Sequence, residues 1–84
     1  MNIQFTSNFT EIANSGDAQD VQQTAQNFTN AVREMIERLY PLATVDVANG
    51  HGPHCVADGF GDNERVEQRI MEHYQENEFA ECWA

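Results

Sequence analysis

Two groups of side chains in this 84-residue chain have the types and spacing for chemistry. The first is a run of carboxylates toward the C-terminus: Asp62, Glu64, Glu67, Glu72, Glu76, Glu78 and Glu81. On a helix, steps of three or four residues advance ~4.5–6 Å along the axis. That is similar to the spacing of backbone phosphates, so carboxylates set this way can occupy Arg and Lys sites built for DNA or RNA. The second is Gly50-His51-Gly52-Pro53-His54-Cys55, with His73 and Cys82 further along. His51 and His54 are spaced to offer two zinc ligands from one loop. The set has no Cys-x-x-Cys pair, however, and no standard zinc-site spacing fits it.

Nucleophilic catalysis has little to work with. His54 and Cys55 are neighbours in a strand-like segment, so their side chains point to opposite faces. The chain has no Gly-x-Gly-x-x-Gly, Walker loop, His-Glu-x-x-His or Gly-x-Ser-x-Gly, the signatures that place nucleotides, zinc or a serine nucleophile. A short chain has little core with which to line a substrate pocket. The expectation is a protein that is not an enzyme and needs no cofactor or metal.

Charge points elsewhere. Fourteen acids face four basic residues, all arginine, for a formal charge of −10. Such a field repels nucleic acid and anionic membrane and attracts basic protein surfaces from a distance. Four arginines cannot neutralise a phosphate backbone, which excludes direct nucleic-acid binding. Adaptation to high salt would also enrich acids. Eight Asn, seven Gln and the retained large aromatics argue against it. The charge is uneven: from Asp58 onward there are eight acids and two arginines.

The elements that must position these groups follow from periodicity. Ile3 and Phe5 alternate with polar neighbours, a short strand pattern. Asn8, with Glu11 three residues on, suits the cap of a brief helical turn carrying Phe9 and Ile12, and Asn14-Ser15-Gly16 breaks it. Val21, Ala25, Phe28, Val32, Met35, Ile36 and Leu39 recur at helical spacing, which predicts an amphipathic helix over 18–39. Pro41 ends it. Residues 43–48 and 54–58 read as two strands joined by a five-residue loop, which fits a hairpin. Asp62 or Asn63 caps a last helix whose buried stripe is Val66, Ile70 and Tyr74. Phe79 and Trp83 extend that stripe or fold back over the sheet edge.

The expected architecture is a single α+β domain over residues 1–84. An N-terminal strand plus a hairpin make about three strands, and a long central helix and a C-terminal helix lie on one face in two layers. Three strands leave an edge open, and an open edge often pairs with a second copy or a partner. The N-terminus lacks the positive and apolar regions of a signal peptide, and no apolar run approaches a membrane span. The expected compartment is therefore the cytoplasm, where the two cysteines remain free thiols.

In length, acidity, compact α+β reading and absence of enzyme motifs, the chain is similar to small phage-encoded inhibitors of the anti-CRISPR and anti-restriction kind. The resemblance is one of composition and maps no motif. It implies a binding protein that blocks a basic, nucleic-acid-handling protein as a nucleic-acid mimic. Glu64, Glu67, Glu72, Glu76 and Glu78 are then the expected partner contacts, with Tyr74 or Trp83 as an aromatic anchor. The alternatives are a structural module that dimerises through its sheet edge or long helix, and a small metal-binding protein centred on His51 and His54.

Overall fold

A computed structural model describes residues 1–84 throughout. Its elements run β1 (Asn2–Ser7), α1 (Phe9–Ser15), α2 (Val21–Leu39), β2 (Thr44–Asn49), β3 (His54–Asp58) and α3 (Asn63–Glu76), followed by one 3-10 turn at Ala80–Cys82. This is the expected small α+β domain, with three helices and a three-stranded mixed sheet.

Each helix begins at a side-chain cap. Asn8 accepts from the Glu11 N–H, Asp20 from the Gln23 N–H and Asp62 from the Arg65 N–H. Each cap satisfies one of the donors that a helix start leaves free. α1 runs a turn further than expected, and α2 starts a turn later. Asp17 takes a left-handed backbone angle (φ 56°), and the helix begins only where Asp20 supplies its cap.

The sheet order is β2-β1-β3. The hairpin expected between 43–48 and 54–58 therefore does not form. β1 lies between the two strands, parallel to β2 and antiparallel to β3. The physical reason is burial. Ile3 and Phe5 are fully buried, and a strand that buries its side chains completely leaves its backbone polar groups short of water. Pairing on both sides satisfies them. α1 and α2 supply the long connection that the parallel β1–β2 pair requires. The 50–53 loop must then cross above the end of β1, where the Gly50 N–H bonds the Ser7 carbonyl at 2.9 Å.

The sheet uses its two faces differently. Ile3, Phe5, Val47, Cys55 and Ala57 point into one core with Phe9, Phe28, Val32 and Ile36 of the first two helices and Val66 and Ile70 of α3. The alternate positions Asn2, Gln4, Thr44, Asp46, His54, Val56 and Asp58 face away. Both long helices thus lie on one face, as expected. α2 packs against β2 and α3 against β3.

The C-terminal segment does not return over the sheet edge. Phe79 is buried against Phe28 and Tyr74, with ring centroids 5.6 and 5.8 Å away. Trp83 meets Phe28 edge-on at 5.4 Å and lies against Gly16, where any side chain would collide with the indole. The Asp20 N–H bonds the Ala84 carbonyl, and the Ala84 N–H bonds the Thr24 hydroxyl. The segment therefore fastens across the start of α2. No helix is long and apolar enough to cross a membrane.

The crossing loop yields a prediction. Gly52 has φ +148°, and a Cβ there would run into the Thr6 carbonyl oxygen and sit 2.6 Å from the His54 nitrogen. G52A is expected to lose about 1–3 kcal/mol of stability in urea unfolding. G61A, whose Cβ meets nothing within 4 Å, is expected to change it by less than about 0.5 kcal/mol.

Candidate functional site

The acidic C-terminal helix is set by Val66 and Ile70, both buried on the core side. At 3.6 residues per turn each residue advances about 100°. Glu72 and Glu76 therefore share one outward stripe. Glu64 lies about 80° away from Glu72, and Glu67 a further 60° on, close to the sheet. Arg65 and Arg69 fall in the same sector as Glu72 and Glu76. Arg65, Gln68, Arg69, Glu72 and His73 line one polar hollow. The structure thus does not bring the five expected glutamates into one unbroken ridge.

Glu67 has an internal task. Its Oε2 accepts the Ala57 N–H of β3 at 2.8 Å, and its side chain is half-buried. Through that bond it occupies the outer edge of β3. Glu64, Glu72, Glu76 and Glu78 are exposed. Glu81, from the 3-10 turn, lines a hollow of about 300 Å³ together with Glu34, Arg38 and His73. This places one acid of α2, Glu34, in the same hollow as Glu81 of the C-terminal segment, a proximity that no local spacing in the sequence indicates.

The two expected aromatic anchors are placed differently. Tyr74 is half-buried. Its ring lies 4.9 Å from that of Phe5, and its hydroxyl is 3.2 Å from the buried Ser7 hydroxyl. It is mainly a core residue. Trp83 keeps 40% of its surface exposed and stands at the α1–α2 corner, a position fixed by Phe28 and Gly16 rather than by α3.

Thirteen of the 14 carboxylates are exposed, Glu67 being the half-buried one. Every helix contributes, and so does the outward sheet face. On that face Asp46 pairs with Gln4 in register, and Asp58 with Asn2. The two sheet aspartates lie outside the C-terminal group singled out from the sequence. The signal for Asp46 was present in Val45-Asp46-Val47, whose alternation turns the aspartate away from the two valines. Arg38, Arg65 and Arg69 are exposed and Arg33 is half-buried; Arg69 stacks over Tyr40 at 5.6 Å, and Arg33 donates to the Asn30 side chain.

His51 and His54 are exposed, and no three His, Cys, Asp or Glu side chains converge to hold a metal ion. His54 faces outward, and Cys55 is buried on the opposite face. Cys82 is buried in the 3-10 turn, and both cysteines are free thiols. Burial, with the Glu67 charge added, pushes the Cys55 thiol up to about 11. Burial and Glu81 push Cys82 upward too. Since only the thiolate is a good nucleophile, neither cysteine is activated at neutral pH.

The Cys55 shift fixes a pH dependence. The thiol ionises near 9.0 when unfolded and near 11 when folded, so between those values the native state holds the extra proton. Stability must then fall as pH rises from about 9 to about 11. C55A is expected to lower stability at pH 7 and to flatten that decline, as measured by urea unfolding across pH 8–11. The buried hydroxyl pair gives a second expectation: Y74F, which leaves the Ser7 hydroxyl without its partner, costs about 1–2 kcal/mol.

Compared with protein-family models, curated proteins and solved structures, the chain matches none.

Proposed function

We propose that this chain is a small, non-enzymatic acidic protein that binds and blocks a basic, nucleic-acid-handling protein in the cytoplasm, in the manner of the anti-CRISPR and anti-restriction inhibitors that it resembles in composition. One observation carries the reading. The chain bears −10 with no lysine, and 13 of its 14 carboxylates stand in solvent. Such a surface is built to attract cations over distances of about a Debye length. A purely structural use of the acids would leave more of them paired or capping. Asp20 and Asp62 cap helices, and Glu67 holds a strand.

The mechanism is occlusion. Exposed carboxylates of α3 and its C-terminal extension occupy the cationic groove that a phosphate backbone would fill, and the long-range field speeds encounter. Because the acids are spread over several elements, partner contact extends beyond one helix. Glu64, Glu72, Glu76 and Glu78 remain the first contacts to test. Glu67 is excluded because its replacement would also free the β3 edge.

Immobilised protein incubated with a host lysate at low salt is expected to capture basic nucleic-acid-binding proteins. They should release between about 50 and 300 mM salt, as screened charge pairs do. The quadruple variant E64Q/E72Q/E76Q/E78Q should retain the fold by circular dichroism and lose at least tenfold in affinity for the captured protein. A captured set unaffected by both salt and the four substitutions would remove the electrostatic reading.

A further inference from the structure

The two outer edges of the sheet are treated differently. In a ladder, alternate residues direct their N–H and C=O groups to opposite sides of the strand. The Thr44 N–H bonds the Met1 carbonyl and the Gly50 N–H bonds that of Ser7, so the even-numbered residues of β2 face β1. Val45, Val47 and Asn49 must then direct their backbone groups outward. On β3 the Gln4–Val56 and Thr6–His54 register leaves Cys55 and Ala57 facing outward, and there the Ala57 N–H is already held by Glu67. Each outer strand packs against one long helix, but only the β3 edge is occupied by a carboxylate from its helix. The β2 edge carries no such side chain, and Leu42, two residues ahead of it, is 86% exposed.

We propose that the free edge of β2 takes up an extended, cationic segment of the partner as a fourth strand. This rests on the reading that the chain docks on a basic protein, and it names the surface and the mode. Backbone bonds to Val45, Val47 and Asn49 supply the pairing, as in other strand additions. The incoming side chains alternate. Those on the outward face lie beside Asp46, which calls for Arg or Lys. Those on the core side lie beside Val45 and Val47, which calls for small apolar residues, and Leu42 extends that apolar contact at the strand entrance.

Charge complementarity selects this occupant over a second copy of the chain. An antiparallel β2–β2 pair must match odd residues with odd residues, because those carry the outward groups. The two registers that overlap most of the strand pair Val45 with Val47 or Val47 with Val47. The first sets Asp46 directly opposite Asp46, and the second sets the two on a diagonal about 7–8 Å apart. Both bring like charges together between chains that each carry −10.

The test uses isotopically labelled full-length protein at low salt and a pool of eight-residue peptides alternating Arg or Lys with Val, Ile or Thr. Binding is expected to shift the amide signals of Val45, Val47 and Asn49 and to slow their hydrogen exchange. V45P, which deletes one outward N–H at an edge position where proline is tolerated, should weaken binding at least tenfold. D46R should do the same. The same peptides with alternate backbone nitrogens methylated keep their charge and cannot pair, so they should not bind, whatever V45P does to folding. Equal binding of the methylated peptides, or shifts confined to α3, would overturn the edge proposal while leaving the electrostatic reading standing. Self-association through the β2 edge in light scattering would overturn it in favour of a second copy. Absence of peptide binding would also overturn it, with the lysate capture above still deciding the broader reading independently.

Discussion

Strand β1 is hydrogen-bonded on both sides, and the rest of the structure is arranged around that fact. Its six residues pair in parallel with β2, and five of them, Asn2 to Thr6, pair antiparallel with β3. They send Ile3 and Phe5 into the core with no exposed surface. Burying such side chains is worth about 1.5–3 kcal/mol each, and they sit at the centre of the one core the chain builds. The arrangement obliges α1 and α2 to bridge β1 and β2, and the 50–53 loop to cross over Ser7. Gly52 meets the second obligation by leaving room for the Thr6 carbonyl. Asn49 ties the same corner together, accepting the Phe9 N–H at 2.8 Å and so joining the end of β2 to the start of α1.

A connected set of aromatic rings closes the other side. Phe5 meets Tyr74, Tyr74 meets Phe79, and Phe79 meets Phe28, which also contacts Phe9 and Trp83. The set runs from the central strand through α3 and the C-terminal segment to α2. Its effect is to spend most of the aromatic residues on holding the small core together. Phe79 adopts a left-handed backbone conformation to reach it, with its N–H held by the Asn77 side chain. What stands in solvent is chiefly carboxylate and amide. The division of labour is clear: apolar rings supply cohesion, and acids supply much of the solvent-facing surface.

Two carboxylates show how one residue type takes opposite tasks. Glu67 lies beside β3, where it satisfies a strand N–H and closes an edge. Asp46 stands exposed on the outward face of β2, next to an edge that no side chain caps as Glu67 caps β3. An acidic protein with one closed edge and one open edge has a direction for association, and the charge beside the open edge disfavours its own copy. The same side chains that keep the chains apart in solution would also select a cationic partner under the proposed reading.

Much of this was legible from residue order. The Val21–Leu39 periodicity, the caps Asn8 and Asp62, the Val45-Asp46-Val47 alternation and the opposite facing of His54 and Cys55 are local consequences of helical and strand geometry, so neighbours in sequence suffice to reveal them. The excess of acid and the lack of enzyme motifs are properties of composition. Pairing is not local. A hairpin between β2 and β3 satisfies the same short-range rules as the split arrangement, and only the burial of Ile3 and Phe5 against helices far along the chain selects the second. The assignment of Glu67 to a strand edge, of Tyr74 to the core and of Trp83 to the α1–α2 corner likewise depends on which surfaces meet. Tertiary structure alone decides that, because contacts between distant segments are set by filling one shared core and not by the residues on either side.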